Sequence, residues 1–76
     1  MKAKISELEI EHGFKIRKGS IVALDFHGDN RPIGAKVFDI FSEDGEIFIE
    51  SMTLSYGSPM THSAEQYAES GKLIKF

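Results

Sequence analysis

The sequence predicts a mainly β domain with one short helical segment near its end. Three observations predict it. Alternating or β-branched runs occupy Ser20–Phe26, Ile33–Phe41 and Glu46–Met52; turn residues separate the runs; and a capped helical stretch covers residues 63–70. At 76 residues the chain makes one domain, 1–76, near the lower size at which an apolar core suffices.

In the first run Val22, Leu24 and Phe26 share one face, and Lys18-Gly19 supplies the turn before it. His27-Gly28-Asp29-Asn30-Arg31-Pro32 follows, dense in turn residues, with a proline that has no N–H for a ladder. From Ile33 to Phe41, strict alternation puts Ile33, Ala35, Val37, Asp39 and Phe41 on one side. Gly34, Lys36, Phe38 and Ile40 fall on the other. Both sides carry apolar groups, which predicts a central strand with a bend, and Gly34 is the natural place for it.

Ser42-Glu43-Asp44-Gly45 is the strongest local signal, a three- or four-residue hairpin loop ending in a left-handed glycine. Glu46–Met52 is the return strand. Residues 53–61 are rich in Ser, Thr, Gly and Pro and read as a loop. Ser63 and Gln66 have capping-box spacing, Ala64, Tyr67 and Ala68 form an apolar stripe, and Gly71 is the helix stop. Lys72–Phe76 reads as a closing strand with Ile74 and Phe76 on one face. At the start, Leu8 and Ile10 alternate with Glu7, Glu9 and Glu11, which favours a strand, although Ser6 and Glu9 also fit a capping box. Residues 14–18 continue that pairing or form a loop.

About five short strands, a central hairpin and a helical turn before the last strand resemble the SH3-like small barrel. Residues 18–50 sharpen this: Lys18-Gly19-Ser20-Ile21-Val22-Ala23-Leu24, then Gly28, Gly34, Val37 and Ile40, then Glu46-Ile47-Phe48-Ile49-Glu50. This is similar to the KOW-type pattern of a Gly-x-x-Val strand, a glycine-punctuated loop and a second Val/Ile strand. The resemblance implies an RNA-binding role.

The charge is unevenly laid out. Residues 1–20 carry five basic and three acidic side chains, whereas residues 41–60 carry Glu43, Asp44, Glu46 and Glu50 with no Lys or Arg. The net charge of −3 lacks the dominant basic face that a nucleic-acid binder needs. The longest apolar run is the four residues Ile21–Leu24, and no apolar stretch follows the charged N-terminus, so a cytoplasmic domain without membrane spans is expected.

The chemistry-bearing residues are sparse. There is no cysteine for a disulfide, a thiol nucleophile or a cysteine-ligated metal. His12, His27 and His62, even with Asp25 and Asp29, lack metal-ligand spacing, so neither metal nor cofactor is expected. Asp25 and Asp39 sit among apolar residues and are the carboxylates best placed for a shifted pKa. No nucleophile-elbow or phosphate-loop motif is present, and a barrel this small is expected to lack the depth for a pocket of about 300 Å³ or more. No catalytic residue is assigned.

Binding is the remaining class, and a protein partner is favoured over nucleic acid. Leu54, Tyr56, Pro59 and Met60 form a semi-apolar group suited to a protein interface. The nucleic-acid alternative uses Lys15, Arg17, Lys18, Arg31 and Lys36 on phosphates, with Phe14 or Tyr56 as a stacking platform. A homodimer is a further expectation, with Phe14, Phe41 and Phe76 as plugs. Size, acidity and lack of cysteine also match a phage- or mobile-element-encoded modulator of a host protein.

Overall fold

The computed structural model describes residues 2–10, 13–25 and 31–75, with side chains through residue 69. The elements in chain order are β1 (Lys2–Lys4), β2 (Glu7–Ile10), β3 (Phe14–Arg17), β4 (Ile21–Leu24), β5 (Ile33–Glu43), β6 (Glu46–Thr53), β7 (Pro59–Ser63), α1 (Ala64–Ser70) and β8 (Gly71–Lys75). The main sheet has the order β7-β6-β5-β4-β8, with β1 also paired to β5; β2 and β3 form a separate hairpin. Among the described residues every ladder is antiparallel. Among the described residues no ladder joins β7 to β8, the two ends of this path.

The centre is the β5–β6 hairpin. Glu43 pairs with Glu46, so its loop is the two residues Asp44 and Gly45, at φ 53° and 83°. Two left-handed residues match the twist of tightly joined strands, which is why the expected longer loop gives way to a two-residue one.

Strict alternation fails within β5. A register shift between Val37 and Asp39 sets Phe38 and Asp39 together against Glu50. Ala35 and Val37 face inward before the bulge and Ile40 faces inward after it, so Asp39 and Phe41 leave the face that simple alternation gives them. The driving force is polar: an unshifted register aims Asp39 into an apolar core, where a carboxylate is costly. The bend expected at Gly34 is therefore at Phe38–Asp39. Gly34 is instead a close approach, since a Cβ there would lie 3.2 Å from Leu54 Cδ1.

One face of the main sheet is covered. Ile10 and Ile16 of the β2–β3 hairpin and Tyr67 of α1 close over Val22, Leu24, Ala35, Val37, Ile40 and Ile49. The turn into β4 is tied at both ends. The Arg17 N–H donates to Ser20 Oγ (2.9 Å), the Ser20 N–H to the Arg17 carbonyl (3.0 Å), and Val37 exchanges two backbone bonds with Gly19 and Ser20. The helix starts as its residues predict: the Gln66 N–H donates to Ser63 Oγ (3.3 Å) and the Ser63 N–H to Gln66 Oε1 (3.0 Å). Tyr67 is fully buried, and Ala64 and Ala68 pack against the core. Gly71 opens β8, which pairs with β4.

Two strands depart from the sequence reading. Residues 53–61 are not a loop throughout; β7 begins at Pro59 and returns along β6. The proline is tolerated at the first position of an edge strand, where the ladder does not need its missing N–H. β1 lies along the end of β5, with Lys2 opposite Glu43 and Lys4 opposite Phe41. On the other face of the main sheet, away from this core, Lys36, Phe38 and Met52 are exposed, and this positions the candidate site.

Candidate protein-binding surface

On the open face, outward positions alternate with the buried Ile49, Ser51 and Thr53 of β6, so Phe48, Glu50 and Met52 point away from the core. On β5 the outward set is Lys36, Phe38 and, past the bulge, Asp39 and Phe41. Near the β1 end this face is already covered. The Phe41 and Phe48 rings lie 5.5 Å apart at 31°, and Lys2 Nζ sits 4.3 Å from the centre of the Phe41 ring.

Towards the β6–β7 turn the face is open and apolar. Phe38 is 39% exposed, Met52 42% and Leu54 57%. With Lys36, Thr53 and Gly57 they line a groove of about 440 Å³. The space is an open surface groove beside the place where Leu54 lies over Gly34.

Thr53 fixes the turn beside this groove. Its backbone N–H donates to the Ser58 carbonyl (3.0 Å), its Oγ1 accepts from the Ser58 N–H (2.9 Å), and its carbonyl accepts from Gly57 N–H (2.9 Å). The Leu54 N–H donates to the Gly34 carbonyl at 3.0 Å. An ordered turn thus carries Tyr56 at 87% exposure.

Of the four residues singled out from sequence, Leu54 and Tyr56 are on this turn and Pro59 is exposed on β7 opposite Met52. Met60 is separated from them: it pairs with the buried Ser51, points inward and packs against the core. Phe38, Met52 and Lys36 complete the surface. Alternation along Ile33–Phe41 already places Phe38 beside Lys36, but only the β5–β6 register brings Met52 to the same face.

The basic group is divided between layers. Lys15 and Arg17 alternate with buried Ile16 on β3, in the layer that covers the core, whereas Lys36 is on the opposite, open face of the main sheet. Glu9 is directly opposite Lys15 and Glu7 opposite Arg17, which sets an acid beside each base. Lys18 is exposed in the turn after β3, and Arg31 is exposed ahead of β5. Phe14 is half-buried against the core and so presents no free platform beside Tyr56.

The titratable groups complete the description. Lys4 Nζ donates to Asp39 Oδ2 at 2.5 Å, and Asp39 Oδ1 accepts from Ile40 N–H at 3.0 Å. The Lys4 hydrogen bond, above all, holds the Asp39 carboxyl below its ordinary 3.8; desolvation opposes it, while the Lys4 charge, the Ile40 amide and Lys18 assist. A general acid needs the opposite shift. Asp25 is half-buried at the end of β4. His62 is half-buried with its ring 6.3 Å from that of Tyr67, and burial lowers its pKa from 6.5. Burial raises the Tyr67 pKa, against the effect of its hydrogen bond to Ser51.

Among the described residues no three His, Cys, Asp or Glu side chains gather as metal ligands, and no helix is long and apolar enough to cross a membrane. His12, His27, Asp29 and Phe76, with most of the turn between β4 and β5, lie outside the described residues, as does the shared face expected of Ile74 and Phe76. Of the phenylalanines expected at a self-interface, Phe41 is only 5% exposed and Phe14 packs against the core. Compared with family models, with curated proteins and with solved structures, the chain gives no match.

Proposed function

We propose that this chain is a non-enzymatic protein-binding module that engages its partner through the end of the β6–β7 hairpin, with an SH3-like arrangement of strands as its frame. The observation that carries the reading is the presentation of Tyr56 and Leu54, 87% and 57% exposed, on a turn held by three hydrogen bonds to Thr53. Tyrosine supplies large contact area at a small conformational cost, and rigid presentation lowers the ordering entropy lost on binding. The meander of β4, β5, β6 and β7, followed by a short helix and β8, supports the SH3-like frame. The opposition of Lys15 and Arg17 by Glu9 and Glu7 weakens the KOW-type RNA-binding alternative.

The test is capture of a protein from cell extract by the immobilised chain and by two variants. Tyr56→Ala with Leu54→Ser is expected to lose the captured protein while keeping the wild-type circular dichroism spectrum. Lys15→Glu with Arg17→Glu is expected to retain it. If the second variant loses capture and the first does not, the hairpin-end reading is wrong; a capture lost steeply with salt and replaced by nucleic acid returns the RNA-binding alternative.

A further inference from the structure

Four side chains on the open face form a small quadrilateral. Lys36 on β5 and Met52 on β6 are direct cross-strand partners. Phe38 is two residues beyond Lys36, and Glu50 is two residues before Met52, opposite the bulge. Phe38 and Met52 therefore occupy one diagonal and Lys36 and Glu50 the other. The apolar pair is 39% and 42% exposed. No ion pair engages Lys36 or Glu50 among the described residues; Lys4–Asp39 is the pair formed on this face.

This pattern is complementary to itself. A two-fold axis laid in the plane of the face, along the Phe38–Met52 diagonal, brings Phe38 onto Phe38 and Met52 onto Met52 of a second copy. The same rotation sets Lys36 of each copy against Glu50 of the other, twice. Because strands lie about 4.8 Å apart and alternate outward residues about 7 Å apart, the diagonal runs obliquely to the strands. The two sheets then cross steeply, as in orthogonal sheet packing.

We infer that the open face of the main sheet is a homodimer interface, with a second copy of this chain stacked across Phe38 and Met52 and clamped by two reciprocal Lys36–Glu50 ion pairs. A two-fold contact requires such a self-complementary patch, and apolar residues flanked by opposite charges set its register. The second copy covers Phe38, Met52 and Lys36 of the candidate surface and leaves Leu54 and Tyr56, on the turn beyond the quadrilateral, to the captured partner. The self-interface thus rests on Phe38 and Met52, where the sequence expectation used Phe14, Phe41 and Phe76.

Sedimentation velocity of the whole chain at roughly 100 µM tests it, a concentration that populates a dimer of micromolar affinity. The wild type is expected to be dimeric. Lys36→Glu and Glu50→Lys each set like charges together twice and are expected to weaken the dimer roughly tenfold or more. Mixing the two variants restores both opposite-charge contacts, so a heterodimer is expected from two weakened chains. Should a reversal unfold the chain, Lys36→Gln and Glu50→Gln each remove both ion pairs and are expected to weaken the dimer without repulsion. A monomeric wild type overturns the inference and leaves this face to a different protein. A dimer indifferent to these variants, or reversed variants that fold but do not pair when mixed, also overturns it. Tyr56→Ala is expected to stay dimeric, which keeps a failure here distinct from a failure of partner capture.

Discussion

Lys4 reaches across from β1 to the Asp39 carboxylate that the β5 bulge turns outward, with its Nζ 2.5 Å from Oδ2. Lys2, on the same short strand, is opposite Glu43 and over the Phe41 ring. The basic beginning of the chain thus lies along β5, where Lys4 meets Asp39 and Lys2 is opposite Glu43, the first acid of the stretch that follows.

The Lys4–Asp39 pair fixes the sign of an acid effect. The folded Asp39 pKa is below the ordinary 3.8, so the contribution is present above that value and is lost as pH falls through the folded pKa. Lys4→Met is expected to move the Asp39 carboxyl titration upward by NMR. The stability difference between wild type and variant is expected at pH 6 and to shrink below pH 3.8. The lysine side chain is 70% exposed, so high salt is expected to diminish the same difference. An unchanged Asp39 titration in the variant contradicts this account.

His62 acts in a separate window. Burial lowers its folded pKa below 6.5, so the unfolded chain takes the proton first. Stability from this group is complete above 6.5 and declines as pH falls from there towards the folded value. Urea midpoints measured between pH 8 and 5 are expected to fall in the wild type and to fall less in His62→Gln. Equal slopes for the two chains would remove His62 from the explanation.

Inside the core, the Tyr67 hydroxyl donates to Ser51 Oγ at 3.1 Å, and both residues are fully buried. Tyr67→Phe leaves the Ser51 hydroxyl without this partner and is expected to destabilise by about 1–2 kcal/mol. Ser51→Ala is expected to do the same from the other side. Their double variant is expected to lose less than the two single losses combined, because the second change removes a group that the first left unsatisfied. Additive losses in chemical denaturation are incompatible with a coupled pair.

The features legible in the sequence are those set by neighbouring residues. Ser63 and Gln66 cap each other as their spacing requires, and Asp44-Gly45 turns the central hairpin. The bulge was not legible, because the gain from moving Asp39 outward depends on Ile40 entering a core assembled from distant strands and on Lys4 arriving from β1. β7 was hidden by Pro59 and by weak alternation, since an edge strand with Thr61 outward and Met60 inward gives little pattern. The candidate surface was legible in part: Leu54 and Tyr56 were visible as apolar residues in a polar stretch and alternation set Phe38 beside Lys36, whereas Met52 joined them only through the β5–β6 register.

Two glycines provide the last test, because alanine is expected to act in opposite directions at them. Gly45 has φ 83° with open space around it, so only backbone strain opposes a side chain there. Gly45→Ala is expected to destabilise by about 1–2 kcal/mol, the strain of a left-handed L-residue. Gly34 has no such conformation, and its new Cβ meets only Leu54, whose Cδ1 would be 3.2 Å away. Leu54 is 57% exposed and free to swing outward, so the crowding relaxes. What remains is the gain from restricting the unfolded chain, and Gly34→Ala is expected to stabilise by about 0.5 kcal/mol. Thermal denaturation of both variants decides the matter. Loss of stability in Gly34→Ala that persists in a Leu54→Ala background means that the strand backbone, not the leucine, requires glycine at this position.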